Sequence, residues 1–100
     1  MPRSGFVYIL ASKPNGTLYI GVTSDLMQRM QEHRDGAVEG FTKRYGVHRL
    51  VHVEPYEDIH DAIERERRLK RWNRAWKLDL IRASNPTWQD LVEDLAQLRW

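Results

Sequence analysis

Arg29 and His33 stand four residues apart in a segment that the sequence predicts to be helical. That spacing makes both side chains project from one flank of the helix. A guanidinium binds anions, and an imidazole gains or loses a proton near neutral pH. The pair could therefore bind an anion and move a proton beside it. The alternative, which the helix alone favours, is an ordinary solvated surface.

Glu66 is a carboxylate within an apolar stripe. The segment around it is predicted to be a long helix with five apolar residues on one face: Ile59, Ala62, Ile63, Leu69 and Trp76. Glu66 falls inside this face, because it follows Ala62 by four residues and precedes Leu69 by three. A carboxylate turned toward the interior costs free energy unless a cation, a metal ion or hydrogen bonds compensate it. Glu66 is therefore a candidate metal ligand, or else the partner of a structural salt bridge to Arg29 or Arg74.

Tyr8 and Tyr19 lie in the middle of two segments predicted to be paired strands. On one face of an antiparallel hairpin two such rings can lie close together. The ordinary role of a strand tyrosine is packing, with its hydroxyl bonded locally. A catalytic role for these two phenols therefore has to be argued from other residues of the sequence.

The first half of the chain predicts the elements that would position these residues. Residues 6–10 and 18–22 are short β-branched and aromatic runs, and the turn-forming residues 12–16 between them indicate a β-hairpin. Thr23 or Ser24 is a candidate N-cap for a helix over about 25–34, ending near Asp35-Gly36. A polar loop from Ala37 to Gly46 and a third strand from Val47 to Tyr56 are expected next.

The second half predicts mainly helices. Asp58 is expected to cap a helix from Ile59 to Trp76, which continues or kinks toward Ala83. Asn85 is a candidate N-cap, with Pro86 at the first position of a last amphipathic helix that carries Trp88, Leu91, Val92, Leu95 and Leu98. This order of elements predicts the α+β class, with a small, mainly antiparallel three-stranded sheet flanked by helices.

Composition narrows the kind of protein. The 100 residues are 41% hydrophobic and 30% charged, which predicts one compact domain over residues 1–100. The chain has no cysteine, so neither disulfides nor thiolate zinc sites are possible. No segment has the length of a membrane span and the N-terminus has no signal-peptide core, so a cytoplasmic protein is expected. Between residues 61 and 82, eight Lys or Arg outnumber four acids, and residues 86–100 are acidic on balance, which indicates a polyanion at one face. Charge alone favours the alternative, a solvated charged helix.

The five candidate residues, in this order, resemble the GIY-YIG endonuclease superfamily. Its second half-motif is intact as Tyr19-Ile20-Gly21, whereas the first appears as Phe6-Val7-Tyr8, with Phe and Val in place of Gly and Ile. Arg29 and His33 follow, and Glu66 matches the downstream acid in Arg65-Glu66-Arg67. Residues 40–46 and 85–91 resemble the stand-alone, single-domain bacterial branch, which is excinuclease-subunit-C-like, so the resemblance covers nearly the whole chain.

The resemblance implies a metal-dependent endonuclease that hydrolyses phosphodiester bonds of nucleic acid, with DNA the expected substrate. It implies one divalent ion, Mg²⁺ or Mn²⁺, held by Glu66, with Arg29 on the scissile phosphate. Tyr8 would be the general base and Tyr19 would orient the attacking water or the phosphate. A phenol has a pKa near 10, so Arg29 and His33 would have to lower it. His33 is the rival base because an imidazole needs no such tuning.

Contacts to the nucleic-acid backbone are expected from six further residues: Lys43, Arg44, Tyr45, Lys70, Asn73 and Arg74. Two other functions remain open. One is a non-catalytic nucleic-acid-binding module on the same scaffold. The other is a protein-interaction adaptor whose contact surface is the C-terminal segment with Trp88 and Trp100, although core packing is the ordinary role of such a helix. A larger targeting partner is compatible with either enzyme or module.

Overall fold

The centre of the protein is a three-stranded antiparallel sheet. A computed structural model describes residues 3–36 and 40–98. The strands are β1 (Gly5–Ala11), β2 (Leu18–Thr23) and β3 (Arg49–Tyr56), in the order β2-β1-β3. The predicted α+β class and the mainly antiparallel three-stranded sheet are confirmed.

The strand register was not predicted, and it places the two tyrosines together. In the hairpin of β1 and β2, Tyr8 lies opposite Gly21 and Leu10 lies opposite Tyr19. Successive side chains alternate between the two faces of a strand, so Tyr8 and Tyr19 share one face. β1 pairs with β3 on its other side, which makes the strand that carries Tyr8 the central one.

Helices cover both faces of the sheet. They are α1 (Leu26–Arg34), α2 (Phe41–Tyr45), α3 (Ile59–Arg71), α4 (Arg74–Ser84) and α5 (Val92–Leu98). One core layer joins the Val7 and Ile9 face of the sheet to Ala62 and Leu69 of α3 and Ile81 of α4. The other joins the Tyr8 and Leu10 face to Leu26 and Met30 of α1 and Leu95 of α5. In the part of the chain that the structure describes, none of these helices has the length and hydropathy to cross a bilayer.

The start of α1 differs from the prediction by one or two residues. Asp25, not Thr23 or Ser24, is its N-cap, and the Asp25 carboxylate accepts a hydrogen bond from the Gln28 backbone N–H at 3.1 Å. The Thr23 hydroxyl instead accepts the backbone N–H of Asp25, which precedes the first helical residue, Leu26. The predicted end is confirmed, with Asp35 as the C-cap and a positive φ at Gly36.

The loop predicted from Ala37 to Gly46 contains a short helix. Residues 41–45 form α2, which ends at Gly46 in the left-handed region, with φ of 64°. Residues 37–39 lie outside the described part of the chain. The third strand begins at Arg49, two residues later than predicted, because Val47 still closes the turn after α2 by donating to the Thr42 carbonyl.

The predicted helix from Ile59 to Trp76 is two helices. Its cap, Asp58, is confirmed, but Trp72 takes an extended conformation and Asn73 caps α4 by accepting the Trp76 backbone N–H at 2.9 Å. The sequence predicted a continuation or kink after Trp76, whereas the helix breaks completely at Trp72 and Asn73. Trp76 is 56% exposed, so its place in the apolar stripe was wrong.

Asn85 was wrongly predicted as a helix N-cap. It ends α4, and its side-chain amide donates to the Val51 and Gln89 carbonyls at 3.2 and 2.9 Å. The last helix begins only at Val92, seven residues later. Trp88 precedes it and is 3% exposed, which confirms core packing and removes Trp88 from the adaptor surface; Trp100 lies outside the described residues.

Glu54 is the centre of a polar network on the face of the sheet opposite Tyr8. Its carboxylate, 17% exposed, is bonded by His52 at 2.8 Å, by the Tyr56 hydroxyl at 2.9 Å and by two nitrogens of Arg65. Burial opposes ionisation, but these hydrogen bonds outweigh it and lower the pKa of Glu54 to about 2. The network ties β3 to α3.

We expect Glu54→Gln to lower the free energy of unfolding by about 2–3 kcal/mol at pH 6, following the depressed pKa. Because the folded-state pKa lies below the unfolded value of 4.5, this contribution is full above about pH 4.5 and is lost as the pH falls toward 2. Denaturant unfolding of both proteins at pH 6 and pH 3 measures it, and the difference should shrink by about half at pH 3. Glu57→Gln, at an exposed neighbouring position, is the control. A difference that is independent of pH would contradict the ionic origin.

Candidate active site

Three rings meet on the face of the sheet that α1 covers. The Tyr8 and Tyr19 ring centroids are 6.3 Å apart, and the His33 ring lies 5.8 and 5.6 Å from them, nearly perpendicular to both. The Tyr8 hydroxyl is hydrogen-bonded to His33 Nε2 at 3.1 Å. The structure thus brings together three of the five predicted site residues, from two strands and one helix.

Gly21 makes room for the Tyr8 ring. A Cβ atom at position 21 would lie 2.4 Å from both Cζ and the hydroxyl oxygen of Tyr8, which is well inside van der Waals contact. The close approach of the phenol to the backbone of β2 therefore requires glycine here. From the sequence, Gly21 was noted only as part of the motif Tyr19-Ile20-Gly21. The structure shows that Gly21 has a steric role.

His33 is held from both sides of its ring. Its Nδ1 is 3.1 Å from the hydroxyl of Thr42 in α2, and both residues are 2% exposed. Burial lowers the pKa of His33, and the neighbouring charges of Arg29 and His48 lower it further, so the imidazole is neutral at neutral pH. Neither Thr42 nor His48 was a candidate from the sequence. Thr42 lies in the segment predicted as a loop, and no sequence signal linked it to His33.

Arg29 contributes a buried donor without a hydrogen-bond partner. Among the described residues, none accepts from its Nε, and the nearest carboxylate, Glu32, is 3.8 Å away, which is longer than a hydrogen bond. A buried guanidinium N–H that lacks an acceptor carries a desolvation cost that an anion would remove. The guanidinium also acts on Tyr8, whose pKa it lowers, so it lies at the same site.

Glu66 reaches the site from the other face of the sheet. Its carboxylate is 16% exposed and lies 3.5 Å from Lys70, and neither Arg29 nor Arg74 forms the alternative salt bridge. Lys70 lines one groove with Tyr19, so this part of α3 reaches the edge strand β2 beside the rings. The Glu66 charge also helps to raise the pKa of Tyr8. The site is therefore assembled around the β2 edge.

The donors present suit a metal held by one carboxylate. Over residues 3–36 and 40–98, three or more His, Cys, Asp or Glu side chains nowhere gather into a ligand cage. Glu66, largely buried and paired only at 3.5 Å, still has acceptor capacity for a hard cation. This fits an ion that takes most of its ligands from water and substrate oxygens, as Mg²⁺ commonly does.

The pKa of Tyr8 departs from the expectation. Burial raises it, Tyr19 and Glu66 raise it further, and the opposing effect of Arg29 is smaller. The expectation that Arg29 and His33 would lower the pKa of Tyr8 on balance was therefore wrong. A phenol that is 2% exposed loses the water that would stabilise its charged form.

The six expected backbone-contact residues differ in their surroundings. Lys43, Arg44 and Tyr45 are exposed on α2, and the Arg44 guanidinium lies 5.6 Å from the Tyr45 ring centroid. Lys70 pairs with Glu66 at the site. The remaining two have structural partners, because Asn73 caps α4 and Arg74 donates to two carbonyls of the β1–β2 turn, those of Asn15 and Gly16.

Comparison with known proteins identifies the class to which this fold and site belong. The family model described as the GIY-YIG catalytic domain matches residues 4–79, which hold all five candidate site residues. The chain belongs to this family, and its function is accordingly of the nuclease type.

The relatives that the chain matches over most of their length are UPF0213 proteins. It is 38% identical to one from Syntrophus aciditrophicus, over 81% of this chain and 92% of that protein. It is 40% identical to one from Staphylococcus aureus, over 79% and 95% respectively. The solution structure of a UPF0213 protein from Bacillus halodurans is similar, with a TM-score of 0.55, 26% identity, and coverage of 87% of this chain and 92% of that one.

Proposed function

We propose that this protein, as one domain over residues 1–100, is a metal-dependent endonuclease that hydrolyses phosphodiester bonds of nucleic acid, with DNA as its substrate. One observation carries the proposal. Two phenols, a guanidinium, an imidazole and a carboxylate converge around the β2 edge from two strands and two helices. This set of groups can supply what phosphodiester hydrolysis needs, because water must lose a proton while charge grows on the phosphate.

Arg29 and Glu66 serve to stabilise the negative charge that develops on the phosphate, Arg29 directly and Glu66 through a metal ion. The Arg29 Nε, buried without a partner among the described residues, donates to the scissile phosphate and offsets the charge that develops in the transition state. Glu66 would hold one Mg²⁺ or Mn²⁺, and that ion would supply Lewis-acid stabilisation of the charge on the phosphate. Lys70 lies 3.5 Å from Glu66, so it is close enough to contact the nucleic-acid strand that carries the scissile phosphate.

Tyr8 and His33 accept the proton that the attacking water loses. With the neutral imidazole protonated at Nδ1 and donating to Thr42, His33 Nε2 accepts the Tyr8 O–H. Tyr8 then takes a proton from the attacking water as it passes its own to His33; the water oxygen bonds to phosphorus, the P–O bond to the leaving oxygen breaks, and that oxygen takes a proton from solvent. Tyr8 need not hold the phenolate charge that its raised pKa disfavours, because His33 is the final acceptor of the proton. Tyr19, whose ring contacts both, orients the water or the phosphate. The two rival bases become two members of one relay.

The proposal is tested by cleavage and binding assays on labelled DNA and RNA, in single-stranded, duplex, flapped and branched forms. We expect cleavage with Mg²⁺ or Mn²⁺ and none in EDTA, because the proposed mechanism depends on a divalent ion held by Glu66 to stabilise charge on the phosphate. Without metal, the affinity should fall steeply as salt rises, since exposed cations such as Lys43 and Arg44 contact phosphates rather than bases. Binding without cleavage of any substrate would make the protein a non-catalytic binding module. An affinity that is flat with salt would contradict backbone contacts.

A further inference from the structure

Trp76 is exposed in a way that the fold does not explain. Its side chain is 56% exposed at the first turn of α4, where a polar residue would serve the helix equally well. The indole is held in place, because Trp72 packs against it at 5.9 Å with the planes 89° apart. Trp72 in turn carries the Arg65 guanidinium over its own ring at 5.0 Å. A large aromatic surface is therefore fixed in position and open to solvent.

A groove with two lysines lies beside this tryptophan and leads to the candidate active site. It is lined by Leu18, Tyr19, Ile20, Lys70 and Lys77. Tyr19 is in ring contact with Tyr8 and His33, and Lys70 pairs with Glu66, so the groove begins at the catalytic residues. Lys77 directly follows Trp76 in α4, so the indole leaves the helix one residue away from the lining of the groove.

We propose that Trp76 and this groove form a subsite for an unpaired nucleotide next to the scissile phosphate. The nucleobase stacks on the Trp76 indole, and Lys77 contacts the phosphate of the same strand. This inference rests on the proposed function and adds to it the class of substrate. Aromatic surfaces flanked by cations bind single strands in this way, whereas both faces of a base inside a duplex are covered by its neighbours.

The charge around Trp76 favours a nucleic acid over a protein partner. Helix α3 carries four exposed cations, of which Lys70 lines the groove: Arg67, Arg68, Lys70 and Arg71. The core of a protein–protein interface, where tryptophan hot spots lie, is depleted of lysine. A strand leaving the Glu66 region instead meets a positive charge at Lys70 and again at Lys77.

The test is binding in EDTA, where no cleavage can occur, of a fluorescein-labelled single-stranded oligonucleotide and of the matching blunt duplex. Fluorescence anisotropy gives both dissociation constants. Trp76→Ala should weaken binding of the single strand about tenfold and of the duplex less than about twofold, while Trp76→Phe, which keeps a stacking ring, should retain most of the affinity. Lys77→Gln should weaken binding of the single strand. It should also reduce the salt dependence of the dissociation constant by about the amount that one phosphate contact contributes. Met27→Ala, at another exposed apolar residue, is the control.

Three results would overturn the subsite: unchanged single-strand binding in Trp76→Ala, equal loss for strand and duplex, or no binding of the parent protein to single strands. Circular dichroism of each variant confirms its fold. The outcome is separable from that of the proposed function. Single-strand binding that depends on Trp76, with no cleavage under any metal condition, keeps the subsite and refutes the enzyme. Cleavage and single-strand binding that are both independent of Trp76 would support the enzyme and refute the subsite.

Discussion

Replacing Glu66 by glutamine is expected to lower the rate of cleavage by roughly a thousandfold, because it removes the carboxylate that we propose to hold the divalent ion. Glutamine keeps the size and hydrogen-bonding capacity of the side chain. Glu66 contacts Lys70 only at 3.5 Å, so the loss of its charge leaves the packing of α3 intact. Single-turnover cleavage across a range of Mn²⁺ or Mg²⁺ concentrations measures the effect, and higher metal should recover little of it.

Glu64→Gln is the matched control for Glu66. Glu64 lies one half-turn earlier on α3, 62% exposed, and is paired with Arg68 on the solvent side. Its replacement changes the net charge of the protein by the same amount, so general electrostatic effects on nucleic-acid binding should be similar. We expect its cleavage rate to stay within about twofold of the parent's. A Glu66→Gln protein that cuts as fast as Glu64→Gln would show that Glu66 is structural.

Replacing Tyr8 by phenylalanine is expected to lower cleavage by roughly 10² to 10⁴-fold, the usual contribution of a positioned proton acceptor. The ring is 2% exposed and packs in the core layer with Leu10, so phenylalanine preserves the packing and removes only the hydroxyl. His33 Nε2 loses its partner as a result. Single-turnover rates at saturating metal, with melting temperatures as a check on folding, measure the effect.

A double variant separates the relay from two independent bases. If Tyr8 and His33 pass one proton along the 3.1 Å contact, then Tyr8→Phe combined with His33→Gln should cut no more slowly than the slower single variant. Effects that multiply would assign the residues separate roles, and full activity in Tyr8→Phe would leave His33 as the sole base. Thr42→Val, which removes the acceptor for His33 Nδ1, should act through the same route with a smaller loss.

The fold was predictable wherever one local pattern dominated. The hairpin followed from two β-branched runs around Asn15-Gly16, and Asn15 does adopt a positive φ, at 58°. Asp58 was recognised as a cap because no residue near it competed. At Asn73 two patterns conflicted, since the apolar periodicity continues through Trp76 while the asparagine side chain can cap a new helix. The backbone breaks at Asn73, and the sequence prediction missed this cap because the apolar periodicity continues past it.

The candidate site was predictable to the extent that its residues were locally out of place. Glu66 stood in an apolar stripe, and its burial agrees with that observation. Thr42 carried no such signal, because a threonine in a polar, glycine-containing stretch is ordinary until tertiary contacts bring it to His33. The direction of the Tyr8 pKa was likewise unpredictable, since it depends on the balance between burial and the charges of Arg29 and Glu66, which only three-dimensional packing sets.

Tyr8 belongs to the middle strand of the sheet, whose backbone is hydrogen-bonded along both sides. The phenol is therefore anchored to a strand held by backbone hydrogen bonds on both sides, whereas Arg29, His33 and Lys77 stand on helices. Accommodation of differently shaped substrates then falls to the helices. An engineer who wished to retarget this scaffold would keep β1 fixed and diversify the outward positions of α4 and the turn into α1.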